Sequence, residues 1–342
     1  MKKLLSGGII LSFLITALIG CQKQNDLPSA NEINTAEETI ARIIENNQTV
    51  ITVNNSTAQT TARASGGKQV RFTYLAVALA RTGLIKELAK FDGAYTLFAP
   101  TNDAFMNAGF NSIQDIMKTP VEALTPILLY HVVGLKVKAA DVPAGPNAEV
   151  PTLNGAKIYA TRKTDGSVFI NGTAVIYADI KAVNGVIHVI DRILIPPTGN
   201  IVQTAIAANP EFTYLVTAVT RASQGSTNVA ALLSGAGPFT VFAPVNQAFI
   251  NAGFPTIASI MNANPNDLTP ILAYHVIPAR IFSSDLSNGI TPTMLAGGTT
   301  TITLTGGPKI KGNTNTAAAN IVKTDIVSTN GVIHVIDGVL LP

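Results

Sequence analysis

The sequence predicts two tandem α+β domains that share one fold. An eight-residue stretch occurs twice, at residues 184–191 and 330–337, without a substitution and 146 positions apart. Ahead of each copy, segments with helical spacing of apolar residues are followed by strand-like segments with turn residues between them, in the same order. A joint with two prolines, at residues 195–199, separates the copies and predicts restricted relative motion.

The repeated stretch, Asn-Gly-Val-Ile-His-Val-Ile-Asp, is predicted to leave a hairpin turn and continue as a strand. Asn-Gly favours a type I′ turn, in which both central residues have φ > 0, so Gly185 and Gly331 are expected at such positions. Because side chains alternate along a strand, His188 shares a face with Val186 and Ile190. His334 occupies the same place in the second copy.

Amphipathic helices are predicted from Phe72 and from Phe212, and both are followed by related sequence. Gly83 is placed to end the first of these helices. In the second copy Asn209 is predicted to cap the helix and Pro210 to take its first position. A further helix is predicted within residues 37–46, with three isoleucines, Ile40, Ile43 and Ile44, on one side.

The next blocks are Thr-Leu-Phe-Ala-Pro at residues 96–100 and Thr-Val-Phe-Ala-Pro at residues 240–244, which predict strands that end at proline. Asn102 and Asn246 follow them and are predicted to cap short helices, because the neighbouring Thr101 has a valine as its counterpart in the second copy.

The third block predicts a helix that starts at Thr-Pro and ends at Tyr-His. The first copy has Thr125-Pro126 and then Tyr130-His131, and the second has Thr269-Pro270 and then Tyr274-His275. Hairpins with turns at Asp165-Gly166 and Gly306-Gly307 are expected to follow.

The N-terminus has the features of a bacterial lipoprotein signal. Lys2 and Lys3 precede an apolar run too short for a comfortable membrane span, and Leu-Ile-Gly-Cys at residues 18–21 resembles a lipobox. Cys21 is therefore the predicted lipid attachment site. Because it is the only cysteine in the sequence, an intramolecular disulfide is excluded. An ordinary secretory signal with a chance cysteine is the alternative.

These features predict the following organisation of the chain: a signal peptide at 1–20, a flexible tether at 21–35, a first domain at 36–196 with a polar insertion at 48–69, and a second domain at 198–342. The expected location is the cell envelope, lipid-anchored at the outer membrane, and either periplasmic or surface-exposed.

The charge balance argues against nucleic acid as a partner. Of the 23 basic residues, Lys2 and Lys3 fall in the signal, which leaves 21 against 20 acidic residues and no basic cluster. The expected partners are the membrane, through the lipid, and an unidentified protein or polysaccharide. No cofactor is predicted.

The three blocks together resemble the fasciclin-like domain family. Thr-(Leu/Val)-Phe-Ala-Pro, the central Tyr-His and the terminal Asn-Gly-Val-Ile-His-Val-Ile-Asp match its signature regions, in order, in both copies. The resemblance implies a wedge-shaped β-sandwich with helices on one side. It also implies adhesion or matrix binding without catalysis. The insertion at 48–69 departs from the family pattern.

The histidines are the main candidates for chemistry, because all four, His131, His188, His275 and His334, belong to the repeat. A functional interpretation pairs them within each copy as metal ligands or acid–base groups. A structural interpretation places each at a core edge with hydrogen-bonded nitrogens, and we favour it because no second cysteine or paired carboxylate accompanies them. The Tyr-His pairs, Tyr130-His131 and Tyr274-His275, are open to the same two interpretations.

Three function classes follow. We favour a non-enzymatic surface module that adheres to protein or polysaccharide. The alternatives are an accessory lipoprotein that captures glycans for an uptake system, for which Tyr159 and Tyr177 are the aromatic candidates, and a hydrolase with an unrecognised site. Asp191 and Asp337 are candidate bases of such a hydrolase, although a turn-closing role or a pair with Arg192 is favoured. No catalytic residue and no metal ligand is predicted.

Overall fold

The computed structural model describes residues 38–46 and 70–342, which belong to one compact unit. The predicted signal peptide, Cys21, the tether and the insertion at 48–69 lie outside these residues. The described chain resumes at Val70, which is buried. None of the helices in the described ranges is long and apolar enough to cross a bilayer.

The first copy contains six helices and seven strands in its described part. The helices are α1 (Ile40–Asn46), α2 (Thr73–Thr82), α3 (Leu84–Leu88), α4 (Asn102–Asn107), α5 (Ile113–Lys118) and α6 (Val121–Tyr130). The strands are β1 (Tyr95–Pro100), β2 (Val132–Val133), β3 (Gly145–Pro151), β4 (Lys157–Arg162), β5 (Val168–Ile170), β6 (Thr173–Ala182) and β7 (Gly185–Ile190).

The second copy repeats this order without a counterpart of β3. Its helices are α7 (Ile201–Ala207), α8 (Thr213–Ala222), α9 (Val229–Leu233), α10 (Asn246–Asn251), α11 (Ile257–Met261) and α12 (Pro265–Ala273). Its strands are β8 (Phe239–Pro244), β9 (Val276–Ile277), β10 (Thr301–Thr303), β11 (Lys309–Lys311), β12 (Ala319–Ser328) and β13 (Gly331–Ile336). A short 3-10 helix follows β2 at Ala139–Asp141 and β9 at Ser283–Asp285.

Each copy is built around a parallel pair of strands within an otherwise antiparallel sheet. The sheet orders are β2-β1-β7-β6-β5-β4-β3 and β10-β11-β12-β13-β8-β9, with β1 parallel to β7 and β8 parallel to β13. The repeated octapeptide therefore supplies a central strand, and all six residues of both β7 and β13 are buried. The prediction of two α+β domains is confirmed.

Two apolar cores flank each central strand. Ile187 and Val189 of β7 pack with α1, α2 and α6 in the first core, whereas Ile190 packs with Tyr130 in the second core. Ile333 of the second copy lies in the helix-side core in the same way. The predicted alternation of β7 is confirmed, since successive side chains point to opposite faces of the sheet.

The glycine after each repeated asparagine is needed for close packing, and the predicted I′ turn is wrong. Neither Gly185 nor Gly331 has φ > 0, because the loop consists of the two residues before each glycine. A Cβ on Gly185 would lie 2.1 Å from the carbonyl oxygen of Tyr95 on the parallel neighbour strand. The corresponding distance from Gly331 to Phe239 O is 2.2 Å.

The predicted helix starts are also corrected at three places. Thr101, not Asn102, caps α4 through its hydroxyl, and Val245 precedes α10 without a side-chain cap. Helix α8 begins at Thr213, so Pro210 lies ahead of it. Gly83 ends α2 with φ +75°, as predicted.

Asn102 and Asn246 are caps for other helices than those predicted. Asn102 Oδ1 accepts a hydrogen bond from Tyr74 N (3.1 Å), and Asn246 Oδ1 accepts one from Tyr214 N (3.0 Å). They thereby satisfy free N–H groups in the first turns of α2 and α8 across the fold.

The helices that carry Tyr-His begin earlier than Thr-Pro. Helix α6 starts at Val121, so Pro126 lies inside it, and α12 starts at Pro265 with Pro270 inside it. Each internal proline forfeits one helical hydrogen bond. Burial of Leu124 and Leu128 on both sides of Pro126 holds the helix against the core.

The second copy contains a small apolar cavity that reflects two residue differences. Alanines stand at positions 205 and 230, where the first copy has Ile44 and Ile85. Both alanines line a cavity of about 70 Å³ together with Leu215, Val219 and other apolar side chains of α7, α8, α9, β8 and β13.

Candidate functional site

The histidine of each Tyr-His pair joins the end of a helix to the segment that follows the last strand of its copy. His131 follows α6 and is buried; its Nδ1–H donates to Ile127 O (2.8 Å), and its Nε2 accepts from Leu194 N (2.9 Å). His275 makes the same two bonds, with Ile271 O (2.8 Å) and Leu340 N (2.8 Å). Both imidazole nitrogens are used, which fixes the neutral Nδ1–H tautomer.

Burial makes these two imidazoles hard to protonate. Desolvation lowers the pKa of His131 and of His275 to about 4, although the hydrogen bond to a helix carbonyl acts in the opposite direction. They are therefore neutral at physiological pH.

The histidines of the repeated octapeptide hold the opposite tautomer. His188 Nδ1 accepts from Asp179 N (3.2 Å), and its Nε2–H donates to Val137 O (2.8 Å). His334 does the same with Asp325 N (3.3 Å) and Ile281 O (2.9 Å). Burial lowers the pKa of both histidines.

Each of these aspartates sits in the left-handed region at a bulge of the long strand. Asp179 has φ +61° and Asp325 has φ +64°, and their carboxylates accept the N–H of Ala139 and of Ser283 in the two 3-10 helices. In both copies, therefore, the histidine and the aspartate at the bulge form hydrogen bonds with backbone groups of their own domain.

The tyrosines of the Tyr-His pairs are fully buried with hydrogen-bonded hydroxyls. Tyr130 Oη donates to Lys157 O (2.8 Å) and accepts from Asn171 Nδ2 (3.0 Å). Tyr274 Oη donates to Thr299 O and accepts from Asn313 N. Neither tyrosine nor histidine of the pairs is exposed for contact with a partner in this structure.

The most connected polar residue of the repeat is one that the sequence interpretation treats only as a turn former. Asn184 is 1% exposed; its Oδ1 accepts from Ile40 N (2.9 Å), and its Nδ2 donates to Leu88 O (2.8 Å) and Lys90 O (2.9 Å). Asn330 makes the equivalent three bonds, to Ile201 N, Leu233 O and Gly235 O. The signal was available, because Asn-Gly recurs unchanged, but its turn propensity offered a sufficient explanation.

The four histidines do not form the metal or acid–base pairs of the functional interpretation. Each nitrogen is bonded to a backbone group, and the described residues include no group of three or more His, Cys, Asp or Glu side chains that could hold a metal ion. Asp337 instead accepts from Asn320 N (2.7 Å), and Arg192 pairs with Asp325 rather than Asp191.

The two copies meet through an aromatic and cationic contact. Tyr159 is 7% exposed, so it cannot be the exposed glycan-binding aromatic that the sequence suggested. Its ring contacts Phe282 of the second copy, with centroids 6.0 Å apart, and the guanidinium carbon of Arg280 lies 3.9 Å from its centroid. Arg280 also donates to Gly331 O (2.8 Å). Tyr177, the other candidate, is half-buried against the helix-side core.

A second contact brings the copies close at Gly172. This glycine has φ +77°, and a Cβ on it would lie 2.6 Å from Cγ of Asp325. Arg192 Nη1 lies 3.4 Å from Asp325 Oδ2 across the same junction. Next to it is a cleft of about 500 Å³, lined by the end of α4, residues 192–195 and residues 323–327 of β12.

Comparison with known proteins identifies the repeat. The fasciclin domain model matches residues 70–196 and 210–342. The chain is 28% identical over 262 residues to transforming growth factor-beta-induced protein ig-h3 of Sus scrofa, which covers 77% of this chain and 37% of that protein. Over 259 residues it is 28% identical to periostin of Homo sapiens, covering 75% of this chain and 29% of periostin.

A shorter bacterial relative matches one copy. Protein sll1483 of Synechocystis is 38% identical over 141 residues, which is 41% of this chain and 75% of that protein. A solved FAS1 domain pair from the insect cell adhesion molecule Fasciclin I aligns over 79% of this chain and 96% of its own, at 21% identity and a TM-score of 0.37. The chain spans little more than a third of the length of ig-h3 and less of periostin. With the family model matched twice over most of its length, the chain belongs to the fasciclin domain family.

Proposed function

We propose that the chain is a non-enzymatic interaction module of a bacterial cell envelope, lipid-anchored through Cys21 and adhesive to protein or polysaccharide. The observation that carries this proposal is the internal use of the repeated polar side chains. In both copies the histidines, tyrosines and asparagines of the signature blocks bond to backbone groups of their own domain.

Internal use of these groups speaks against acid–base catalysis by the repeat. A general base needs a free nitrogen or oxygen within reach of a substrate proton. Both nitrogens of His131 and of His188 are already hydrogen-bonded, and burial lowers the pKa of each. Interaction is then left to the surface and to the junction between the copies.

Anchoring is supported by the N-terminal sequence alone. Changing Cys21→Ser should release the protein from the membrane fraction into the soluble fraction, since the lipid is the only anchor that we propose. Continued partition of the variant into detergent would refute the anchor. A Ser6→Ala variant, in the same signal, serves as the matched control and should stay with the membrane.

Binding is tested with the purified mature chain carrying Cys21→Ser, on an array of matrix proteins and polysaccharides. We expect saturable binding to one class of polymer and no release of product from ester or glycoside substrates. Absence of binding together with catalytic turnover would overturn the proposal in favour of a hydrolase.

A further inference from the structure

The cleft between the two copies has the size of a ligand site. Its volume of about 500 Å³ lies within the roughly 300–1,000 Å³ of small-molecule pockets, which favour domain interfaces. Its two walls come from different copies, which are joined beside it by the close approach of Gly172 to Asp325 and by the Arg192–Asp325 pair. A ligand there would contact both copies at once.

The accessible charge of the cleft is positive. The Arg192 side chain is 47% exposed, and its only hydrogen bond in the described part of the chain is the 3.4 Å contact with Asp325. Lys323 is exposed and forms no ion pair with any described residue. Asp325 also lines the cleft, but its side chain is only 4% exposed and accepts from the N–H and hydroxyl of Ser283, so little of its carboxylate is open to a ligand.

The fold of a single copy does not require either cation. Strand register aligns Lys323 with Tyr177, and Gly338 stands in the second copy where Arg192 stands in the first. Side chains that the fold uses, such as Asn184 and Asn330, recur in both copies. Lys323 has no ion-pair partner among the described residues, and Arg192 has only the long, partly exposed pair with Asp325 across the junction, so the two cations that line this cleft point to a bound anion.

Neutral groups beside the cations indicate that the ligand carries hydroxyl groups and some apolar surface as well as a negative charge. Asn107 and Thr324 offer an amide and a hydroxyl, and Ile193 and Ile326 contribute apolar surface to the lining. We propose that the cleft binds a carboxylated sugar unit of an acidic polysaccharide, with its carboxylate at Arg192 and Lys323. The guanidinium of an arginine suits a carboxylate because it can donate two parallel hydrogen bonds.

A sugar fits this lining better than an acidic peptide. An extended peptide brings an N–H and a C=O at every residue, and each of these must be paired when it is buried. A uronate ring places one carboxylate and a few hydroxyls within a single small volume, matching the two cations and the accessible side chains of Asn107 and Thr324. The proposal rests on the interaction function proposed above and names the ligand class for it.

The test uses the mature chain carrying Cys21→Ser and measures binding of galacturonate oligomers by titration calorimetry. We expect saturable binding that weakens as salt rises from 50 to 300 mM, because the contact is electrostatic and partly exposed. Lys323→Gln should weaken binding at least fivefold, and Arg192→Gln with Lys323→Gln at least twentyfold. Lys311→Gln removes the same charge from an exposed position on β11 and should leave affinity unchanged.

Several results would overturn the proposal. These are no binding of galacturonate oligomers by the parent, unchanged affinity in Lys323→Gln and the double variant, equal loss in Lys311→Gln, or binding of poly-glutamate in the cleft in place of the sugar. Melting curves show whether the double variant is folded, and Lys323→Gln, which breaks no ion pair, keeps the test decisive if it is not. If the double variant still adheres to the array surfaces, the interaction function stands and only the cleft assignment fails.

Discussion

The asparagine of the repeated octapeptide should be the most sensitive polar residue of each copy. Asn330 is 6% exposed and bonds Ile201 N, Leu233 O and Gly235 O, and thereby joins α7 and the end of α9 to the strand β13. Asn330→Ala removes all three bonds and leaves one donor and two acceptors without a partner.

The expected cost follows from those three groups. A hydrogen bond contributes about 1 kcal/mol net, and an unpaired buried group costs about 1–3 kcal/mol, so the loss should be about 3–5 kcal/mol. Asn330→Asp keeps the acceptor for Ile201 N but turns a carboxylate toward two carbonyl oxygens. It should therefore be at least as damaging at pH 7, although it has the size of asparagine.

Urea denaturation followed by circular dichroism measures these changes as a shift of the unfolding midpoint of the second copy. Asn251→Ala is the matched control, because Asn251 is exposed and its side chain forms one hydrogen bond within the described part of the chain, accepting from Gln247; it should change stability by less than about 0.5 kcal/mol. A loss below about 1 kcal/mol for Asn330→Ala would refute the anchoring role. So would an Asn330→Asp variant as stable as the parent.

Three further predictions concern packing and acid stability. Gly331→Ala should destabilise the second copy by about 2 kcal/mol or more, because its Cβ would lie 2.2 Å from Phe239 O; an unchanged melting temperature would contradict the close approach. Ala230→Ile should stabilise the same copy by about 1 kcal/mol by filling the 70 Å³ cavity, and a lower melting temperature would show that the cavity cannot accept the side chain. Stability should fall as pH drops from above 6.5 to below 4, by up to about 3 kcal/mol for each of His131 and His275. The reason is that the unfolded chain binds protons that the folded imidazoles, with a pKa of about 4, do not bind. Urea unfolding midpoints measure this change, and a constant stability over that pH range would contradict the burial of the two histidines as neutral groups.

Sequence patterns were sufficient for the repeat, the fold class and the alternation of the central strand, because these depend on apolar spacing within short segments. They failed where a polar side chain acts across the fold. Asn102 stands next to its own helix and looks like a cap, yet its amide oxygen accepts from Tyr74 N, 28 positions earlier. No local pattern distinguishes the two uses.

The glycine of the octapeptide shows a different kind of failure. Asn-Gly predicts positive φ, but Gly185 is required by the approach of β1, which is 90 positions earlier in the chain. The burial of Tyr159 likewise depends on distant residues, Arg280 and Phe282 of the other copy, so its own surroundings in the sequence do not indicate it. Contacts between copies leave no periodic signal in either of them.

The central claim is that the repeated polar residues hold the fold while adhesion belongs to other surfaces, and His275→Ala tests it most directly. The measurement compares the free energy of unfolding with adhesion per folded molecule for this variant and its parent. We predict a loss of about 1–3 kcal/mol, because buried Leu340 N loses its acceptor and Ile271 O loses one of its two donors, with adhesion of the folded fraction unchanged. Unchanged stability together with lost adhesion would contradict the account and make the Tyr-His pair the contact site.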